Sequence, residues 1–258
     1  MPEGDTVYLA AKNLAAVMDG ETLTRCDLRV PKFATVDLTG EAVDDVVPRG
    51  KHLLMRVGEY TIHSHLKMEG SWHLYREGSR WRRPEWQARA VLGVPGWTAV
   101  GFSLGLLEVV HRDEEESIVG YLGPDLLGPD WNPALALANL LADPTREVGL
   151  ALLDQRNLAG LGNVYRNELC YLRGVLPTRP VGEVEHPEKL VELAKRLIEV
   201  NKDRVERSTT GVLRGETDWV YRREGKPCLR CGTAIERGRL GDNELELRDT
   251  YWCPRCQS

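Results

Sequence analysis

Asp154-Gln155-Arg156-Asn157-Leu158-Ala159-Gly160-Leu161-Gly162-Asn163-Val164-Tyr165-Arg166-Asn167-Glu168 is the stretch on which the architecture turns. A helical pattern over 148–155 stops inside it, and another starts at Asn163 and runs over 163–172. Two tight turns lie between them. Gly160 and Gly162 keep side chains out of those turns, so backbone amides can approach a ligand closely. Asn163 and the first amides of the new helix suit a phosphate oxygen. A plain helix–turn–helix connection is the competing reading, because glycine-rich turns are common in helical hairpins.

Reading outward, the pattern stays helical on both sides. Over 187–205, Leu190, Leu193, Ala194, Leu197 and Ile198 fall on one face. Upstream, 133–142 reads as a helix with Pro133 in its first turn. Before it comes the turn-rich Gly123-Pro124-Asp125-Leu126-Leu127-Gly128-Pro129, where a domain boundary is expected. Ahead of that boundary the pattern changes. From about Leu23 to Val110, short apolar runs such as 53–57, 90–94 and 106–110 are broken repeatedly by Gly and Pro, which reads as an antiparallel sandwich or barrel. One helix precedes it, with Asp5 as its cap, Val7, Ala10, Ala11, Leu14, Val17 and Met18 at helical spacing, and Gly20 as its stop. The expected fold is α+β with two domains. Residues 1–126 form a β-sandwich with a leading helix. Residues 127–225 form a helical domain, which ends in a metal-clipped hairpin over 226–258.

The hairpin is read from its cysteines. Cys228-x2-Cys231-x21-Cys253-x2-Cys256 places two C-x-x-C pairs near the end of the sequence. In a chain outside an oxidising compartment such pairs mean zinc far more often than disulfides. Four thiolates make a closed tetrahedral site with no open position, so one structural Zn2+ is expected and no chemistry at the metal. Arg237, Arg239 and Arg248 fall between the pairs and can grip phosphates bidentately. Cys26 and Cys170 stand alone among apolar neighbours and read as small buried hydrophobes.

The chain begins Met1-Pro2-Glu3-Gly4-Asp5. A small second residue permits removal of the initiator Met, leaving the secondary amine of Pro2. Such an amine attacks an aldehyde-like carbon and forms an iminium. An α-amino group titrates near about 7.7–8.0, so part of it is neutral at physiological pH. The positive end of the following helix disfavours the protonated amine and favours a nearby carboxylate, here Glu3, and a substrate phosphate.

Net charge is −5, which taken globally argues against nucleic acid, but the charge is unevenly spread. Residues 1–45 hold four Lys/Arg against nine Asp/Glu, whereas 202–240 hold ten against six. The later part could meet phosphates. No run approaches the roughly 18 apolar residues of a membrane span, and no basic segment precedes an apolar run as in a secretory signal. A cytoplasmic, nucleoid-associated protein that needs no membrane is expected.

Taken together, these segments resemble the formamidopyrimidine-DNA glycosylase/endonuclease VIII family from end to end. Met1-Pro2-Glu3-Gly4 is similar to the family's start, with Gly4 leaning toward the endonuclease VIII branch, actinobacterial type. Arg49-Gly50-Lys51-His52-Leu53-Leu54 is similar to the strand that carries its catalytic lysine. Ser64-His65-Leu66-Lys67-Met68-Glu69-Gly70 is similar to the loop that fills the hole left by an everted base. Residues 155–168 match its helix–two-turns–helix, and 248–257 the closing half of its zinc finger.

The resemblance implies a base-excision DNA glycosylase with lyase activity on oxidised bases, preferably pyrimidines, leaving a gap with phosphate at both ends. Pro2 would attack C1′, Glu3 would act as general acid/base, Lys51 would contact the flanking phosphate and serve in elimination, and Arg248 would grip phosphates on both sides of the lesion. Asn163 would hold a phosphate, Met68 would be the apolar wedge, and Lys67 and His65 would make further DNA contacts. Damaged DNA is the implied partner, with no small-molecule cofactor, and a monomer is expected. His63 and His73 read as strand or loop residues, and Trp72, Trp81 and Trp86 as packing residues. Two rival readings are an abasic-site lyase with weak glycosylase activity and a non-catalytic binder of damaged DNA.

Three features depart from the family pattern. The oxidised-purine branch inserts an Arg and a Phe from an Asp-Pro-Arg-Arg-Phe-Gly stretch, absent from Gly101-Phe102-Ser103-Leu104-Gly105-Leu106 here. The segment 208–219 is short where that branch has a base-capping loop. The zinc hairpin carries an apparent insertion at 240–247, whose acids Asp242, Glu244 and Glu246 should point away from DNA.

Overall fold

The structure, a computed structural model, describes residues 2–258 in two compact units, one ending at Tyr121 and the other running Leu122–Ser258. Among the described residues no helix is long and apolar enough to cross a membrane.

In the first unit α1 (Gly4–Met18) buries Val7, Ala11, Leu14 and Met18, which recur every three or four residues along one face. Glu3, in extended conformation, occupies the cap position. The expected cap, Asp5, lies instead in the first turn and accepts from the Thr6 amide at 2.8 Å. Gly4 starts the helix easily, and an acid one turn inside still meets the positive end of the dipole.

Eight strands follow: β1 (Arg25–Leu28), β2 (Val43–Arg49), β3 (His52–Val57), β4 (Tyr60–His65), β5 (Ser71–Arg76), β6 (Ala88–Val94), β7 (Trp97–Phe102) and β8 (Leu106–His111). They form two four-stranded sheets, ordered β1-β6-β7-β5 and β2-β3-β4-β8, with every pairing antiparallel. Alternation decides which side chains meet. Ala90, Leu92 and Val94 join α1, Leu53, Met55 and Val57 in the main core. Val91 and Val100 turn the other way, onto Tyr75, Phe102 and Trp81. A short helix α2 (Glu115–Val119) follows the last strand. Its Glu115 accepts from Arg56 Nε at 3.0 Å and Thr61 Oγ1 at 2.9 Å.

The second unit contains α3 (Pro133–Leu140), α4 (Val148–Ala151), α5 (Asn163–Arg173) and α6 (Glu188–Asn201), then a ribbon of β9 (Glu236–Leu240) and β10 (Arg248–Trp252). Its main core gathers Leu140, Leu152, Leu158, Tyr165, Leu169, Leu190 and Ile198, and a second cluster under the ribbon holds Tyr171, Val220, Ile235 and Tyr251.

Three helices end earlier than their apolar periodicity predicts, each where a polar side chain captures the backbone. After α3, Asp143 Oδ1 takes the Thr145 amide (3.1 Å) and hydroxyl (2.7 Å). After α4, Gln155 Nε2 donates to Leu153 O and Leu161 O at 2.7 and 3.0 Å. At the end of α6, Asn201 binds both Leu197 O and the Ser208 amide at 2.9 Å.

Two side-chain expectations also need correction. Trp86 is not a packing residue, being 74% exposed, whereas Trp72 and Trp81 lie against cores. Cys170 is fully buried as expected, but Cys26 is only half-buried.

Candidate functional site

The first unit assembles its polar site around one hairpin. β2 and β3 pair Arg49 with His52, so Gly50 and Lys51 form the two-residue turn between them. Gly50 has φ 58°, a value suited to the first position of such a turn. The turn displays Lys51, half-buried, beside a group of histidines. α1 packs against β2 and β3, so Pro2 and Glu3 head the helix that lies on these same strands. Pro2 is half-buried and Glu3 fully buried. Met1, whose removal the Pro2 reading requires, lies outside the described residues.

Behind Lys51 runs a polar chain. Glu108 Oε1 lies 2.8 Å from His63 Nδ1, His63 Nε2 lies 2.8 Å from His52 Nδ1, and His52 Nε2 lies 3.2 Å from the Tyr121 hydroxyl. A carboxylate can only accept, so the proton positions follow in order. His63 donates from Nδ1 to Glu108 and accepts at Nε2, His52 donates from Nδ1 and accepts at Nε2, and Tyr121 donates. His65 stands edge-on to His52 at 5.2 Å, and its Nδ1 accepts the Lys67 amide at 2.9 Å. Burial and then the neighbouring His63, His65, Lys67 and Lys51 charges push His52 down to about 3. Burial and then Lys67 and Lys51 push His65 down to about 4. Both rings are therefore neutral at pH 7.

The loop after β4 carries Lys67 and Met68 into solvent. Lys67 sits at φ 52°, an uncommon conformation for a residue with a side chain. It is held by its amide bond to His65 and by Gly105, where any Cβ would fall 2.2 Å from Lys67 Cγ. Met68 is 62% exposed at the tip.

In the second unit Gln155 organises the two turns, since its Oε1 also accepts the Gly160 amide at 3.0 Å. Gly160 has φ 112°, which a larger residue would resist. α5 then begins at Asn163 and clamps β10. Asn163 Nδ2 donates to Asp249 O at 2.9 Å, Arg166 Nη2 to Asp249 O at 3.0 Å and Thr250 Oγ1 at 2.8 Å, and Asn167 Oδ1 takes the Tyr251 amide at 2.7 Å. These bonds bring Asn163 beside Arg248, which is exposed. Glu168, fully buried, accepts the amides of Trp219, Val220 and Tyr221 at 2.7, 2.9 and 2.9 Å, and the Thr209 hydroxyl as well. Burial pushes its carboxyl pKa up, opposed by those bonds.

The four hairpin thiols converge, with every Sγ within 4.8 Å of the others. Cys228 and Cys256 Sγ lie 4.0 Å apart, and Cys231 and Cys253 Sγ 3.5 Å. A tetrahedron with metal–sulfur bonds of about 2.3 Å sets its sulfurs about 3.8 Å apart, so the residues fit such an ion. The Tyr171 hydroxyl from α5 sits 3.2 Å from Cys228 Sγ, joining the site to the helical core.

Sequence reading singled out Pro2, Glu3, Lys51, His65, Lys67, Met68, Asn163, Arg248 and the four cysteines. Of these, Lys51, His65 and Lys67 share one neighbourhood in the first unit, and Asn163 and Arg248 share one in the second. It missed the His52–His63–Glu108 chain, whose members lie on three strands, and the buried Arg166 and Glu168. For the latter the signal was present, as charged residues inside a helix whose flanks are apolar.

Comparisons with known proteins agree along the whole chain. Residues 1–102 match the formamidopyrimidine-DNA glycosylase N-terminal domain, 122–214 the H2TH domain of the same protein, and 225–258 a zinc finger found in FPG and IleRS. A Streptomyces coelicolor protein, probable endonuclease 8 2, is 56% identical over all of this chain and 94% of its own length. The chain belongs to the formamidopyrimidine-DNA glycosylase/endonuclease VIII family. A second member, the DNA-(apurinic or apyrimidinic site) lyase Nei2 of Mycolicibacterium smegmatis, is 52% identical over 100% of this chain and 99% of its own. Family membership makes this chain an enzyme of the DNA glycosylase/lyase class. The fold also matches a MutM complex with DNA containing carbocyclic 8-oxo-G, at TM-score 0.81 and 23% identity over the full length of both. A Lactococcus lactis Fpg complex with abasic-site DNA gives TM-score 0.81 at 22% identity over 99% of each chain.

Proposed function

We infer that the chain is a bifunctional glycosylase/lyase that removes oxidised bases, pyrimidines above purines, from DNA and then cuts the strand through a Schiff base on Pro2. Its full-length identity of 52% to a DNA-(apurinic or apyrimidinic site) lyase carries the reading. The chemistry of its own residues supports it.

The nitrogen of Pro2, once Met1 is gone, attacks C1′ of the damaged nucleotide. The C1′–N bond breaks, the base leaves with a proton, and an iminium links protein to sugar. Glu3, fully buried beside it, exchanges the protons of ring opening. Loss of the C2′ proton then expels the 3′ phosphate, and a second elimination expels the 5′ phosphate. Lys51 and Arg248 would offset charge on those phosphates. Asn163 and the α5 terminus would hold backbone phosphate, with Lys67 and His65 as further contacts. Met68 would enter the stack where the base leaves it. The four thiols would hold Zn2+, which keeps a hairpin too small for its own core folded and so holds Arg248 in place. The absence of a long segment at 208–219 and of an inserted Arg–Phe pair at 101–106 favours pyrimidine lesions.

Borohydride trapping tests the reading. Wild type should give a covalent protein–oligonucleotide adduct on thymine-glycol duplex, more than on 8-oxoguanine duplex. Pro2→Thr should give none. Full trapping by Pro2→Thr would overturn the nucleophile, and cleavage of abasic but not thymine-glycol duplex would favour a lyase with weak glycosylase activity.

A further inference from the structure

Beside Met68 lies a cavity of about 540 Å³ lined by Met68, Glu69, Gly70, Arg83, Gln87 and Ser103. Its walls come from three separate segments: the loop after β4, the β5–β6 connection, and the turn after β7. They are tied together. Arg83 Nη1 donates to Glu69 O at 3.3 Å, and the Ser103 amide donates to Gln87 O at 2.8 Å. Ser103, like Lys67, is held at positive φ, 46°, so both rims are constrained.

The donor inventory of this cavity is unusual for a surface hollow. Arg83 spends one Nη1 bond on a backbone oxygen, and the rest of its guanidinium makes no bond among the described residues. The Gln87 side-chain amide likewise makes none. A planar cationic fork, a group that both donates and accepts, and a projecting thioether therefore converge on a space wide enough for a flat heterocycle. Arg forks match paired acceptors, as on guanine O6 and N7, and reject edges that present a donor.

We propose that Arg83, assisted by Gln87, reads the base opposite the lesion and prefers guanine to adenine there. This rests on the glycosylase reading, because Met68 must enter the stack for the opposite base to lie in this cavity. The position fits the local chemistry: the turn after β7 offers only Ser103 at this rim, and the arginine arrives from the neighbouring connection instead. Arg83 is a specificity-determining residue and takes no part in bond breaking.

The test measures binding to duplexes with a tetrahydrofuran abasic analogue opposite G, A, C or T, and to the same strand unpaired. No chemistry is needed, so failure of the catalytic reading and failure of this one are distinguishable. Wild type should bind the duplex opposite G about tenfold tighter than opposite A. Arg83→Ala should bring that ratio to about one and leave single-strand binding within about twofold. Arg83→Lys, which keeps the charge and loses the fork, should also flatten the ratio while retaining most duplex affinity. Equal wild-type binding opposite G and A, or a ratio unchanged in Arg83→Ala with native circular dichroism, overturns the proposal. An Arg83→Ala protein that fails to fold leaves Arg83→Lys to decide by the same ratio.

Discussion

The two units solve the same problem, burying polar groups near a DNA-facing surface, in opposite ways. The unit ending at Tyr121 places neutral rings in series, so that Glu108, His63, His52 and Tyr121 satisfy one another with a single formal charge at one end. The unit from Leu122 onward buries full charges, Arg166 and Glu168, on a helix and surrounds each with backbone groups or hydroxyls. A ring pair keeps its neighbours Lys51 and Lys67 free of an added cation. A buried carboxylate instead fixes a chain path, because it can take three consecutive amides at once. The first device preserves the electrostatics of a reactive group, and the second builds a rigid platform for one.

Glu168 is where that contrast is most easily broken. Glu168→Gln keeps size and removes the charge, but its NH2 faces amides that need an acceptor. Loss of one partner in a buried charged network costs about 3–5 kcal/mol. Urea unfolding should show a loss of that order. A change under about 1 kcal/mol would mean that the amides of 219–221 do not depend on the carboxylate.

The histidine chain makes a smaller, pH-dependent prediction. His52 is held at about 3 in the folded protein against an ordinary value near 6.5. A base whose folded pKa is depressed takes up protons more readily when unfolded. Its contribution to stability is therefore full above about pH 6.5 and falls away as the pH drops toward 3. Between pH 7 and 5, His52 alone should cost roughly 2 kcal/mol, with His65 adding to it. His52→Gln cannot titrate and should flatten the profile over that interval. A wild-type stability that is level from pH 7 to 5 would show that the ring charges freely in place.

Much of this was legible in the sequence for a physical reason: periodicity and turn residues act locally. The apolar face of α1, the glycines around the 154–163 turns and the cysteine spacing each specify structure within a few residues of themselves. Lys51 and Met68 were found because each sits in a short loop of distinctive composition. What stayed hidden depends on register. His52, His63 and Glu108 meet only because β3 pairs with β4 and β4 with β8, at His52↔His65 and His63↔Glu108. Helix ends were misjudged for a similar reason: apolar periodicity continued past residues whose polar side chains had already captured the backbone. Arg83 was invisible in this sense too, since its meaning comes from a loop 14 residues away at Glu69.

The smallest expected effect concerns the hairpin loop beyond β9. Its acids were expected to turn from DNA, and Asp242 is paired with Arg146, with Nη2 at 2.9 and 3.0 Å from its two oxygens. Arg146 precedes α4, so the pair pins the ribbon's tip to the helical part of the same unit. Both side chains are part-exposed, at 30% and 50%, and solvent competes for each. Such a pair is worth between about 0 and 1 kcal/mol, because screening and lost side-chain freedom offset most of the attraction. A double-mutant cycle of Arg146→Met and Asp242→Asn should therefore couple by less than about 1 kcal/mol, and by less still at high salt. A coupling comparable to the Glu168 effect would mean the pair behaves as a buried network, and the contrast between charged interior and solvated rim would have to be redrawn at the ribbon tip.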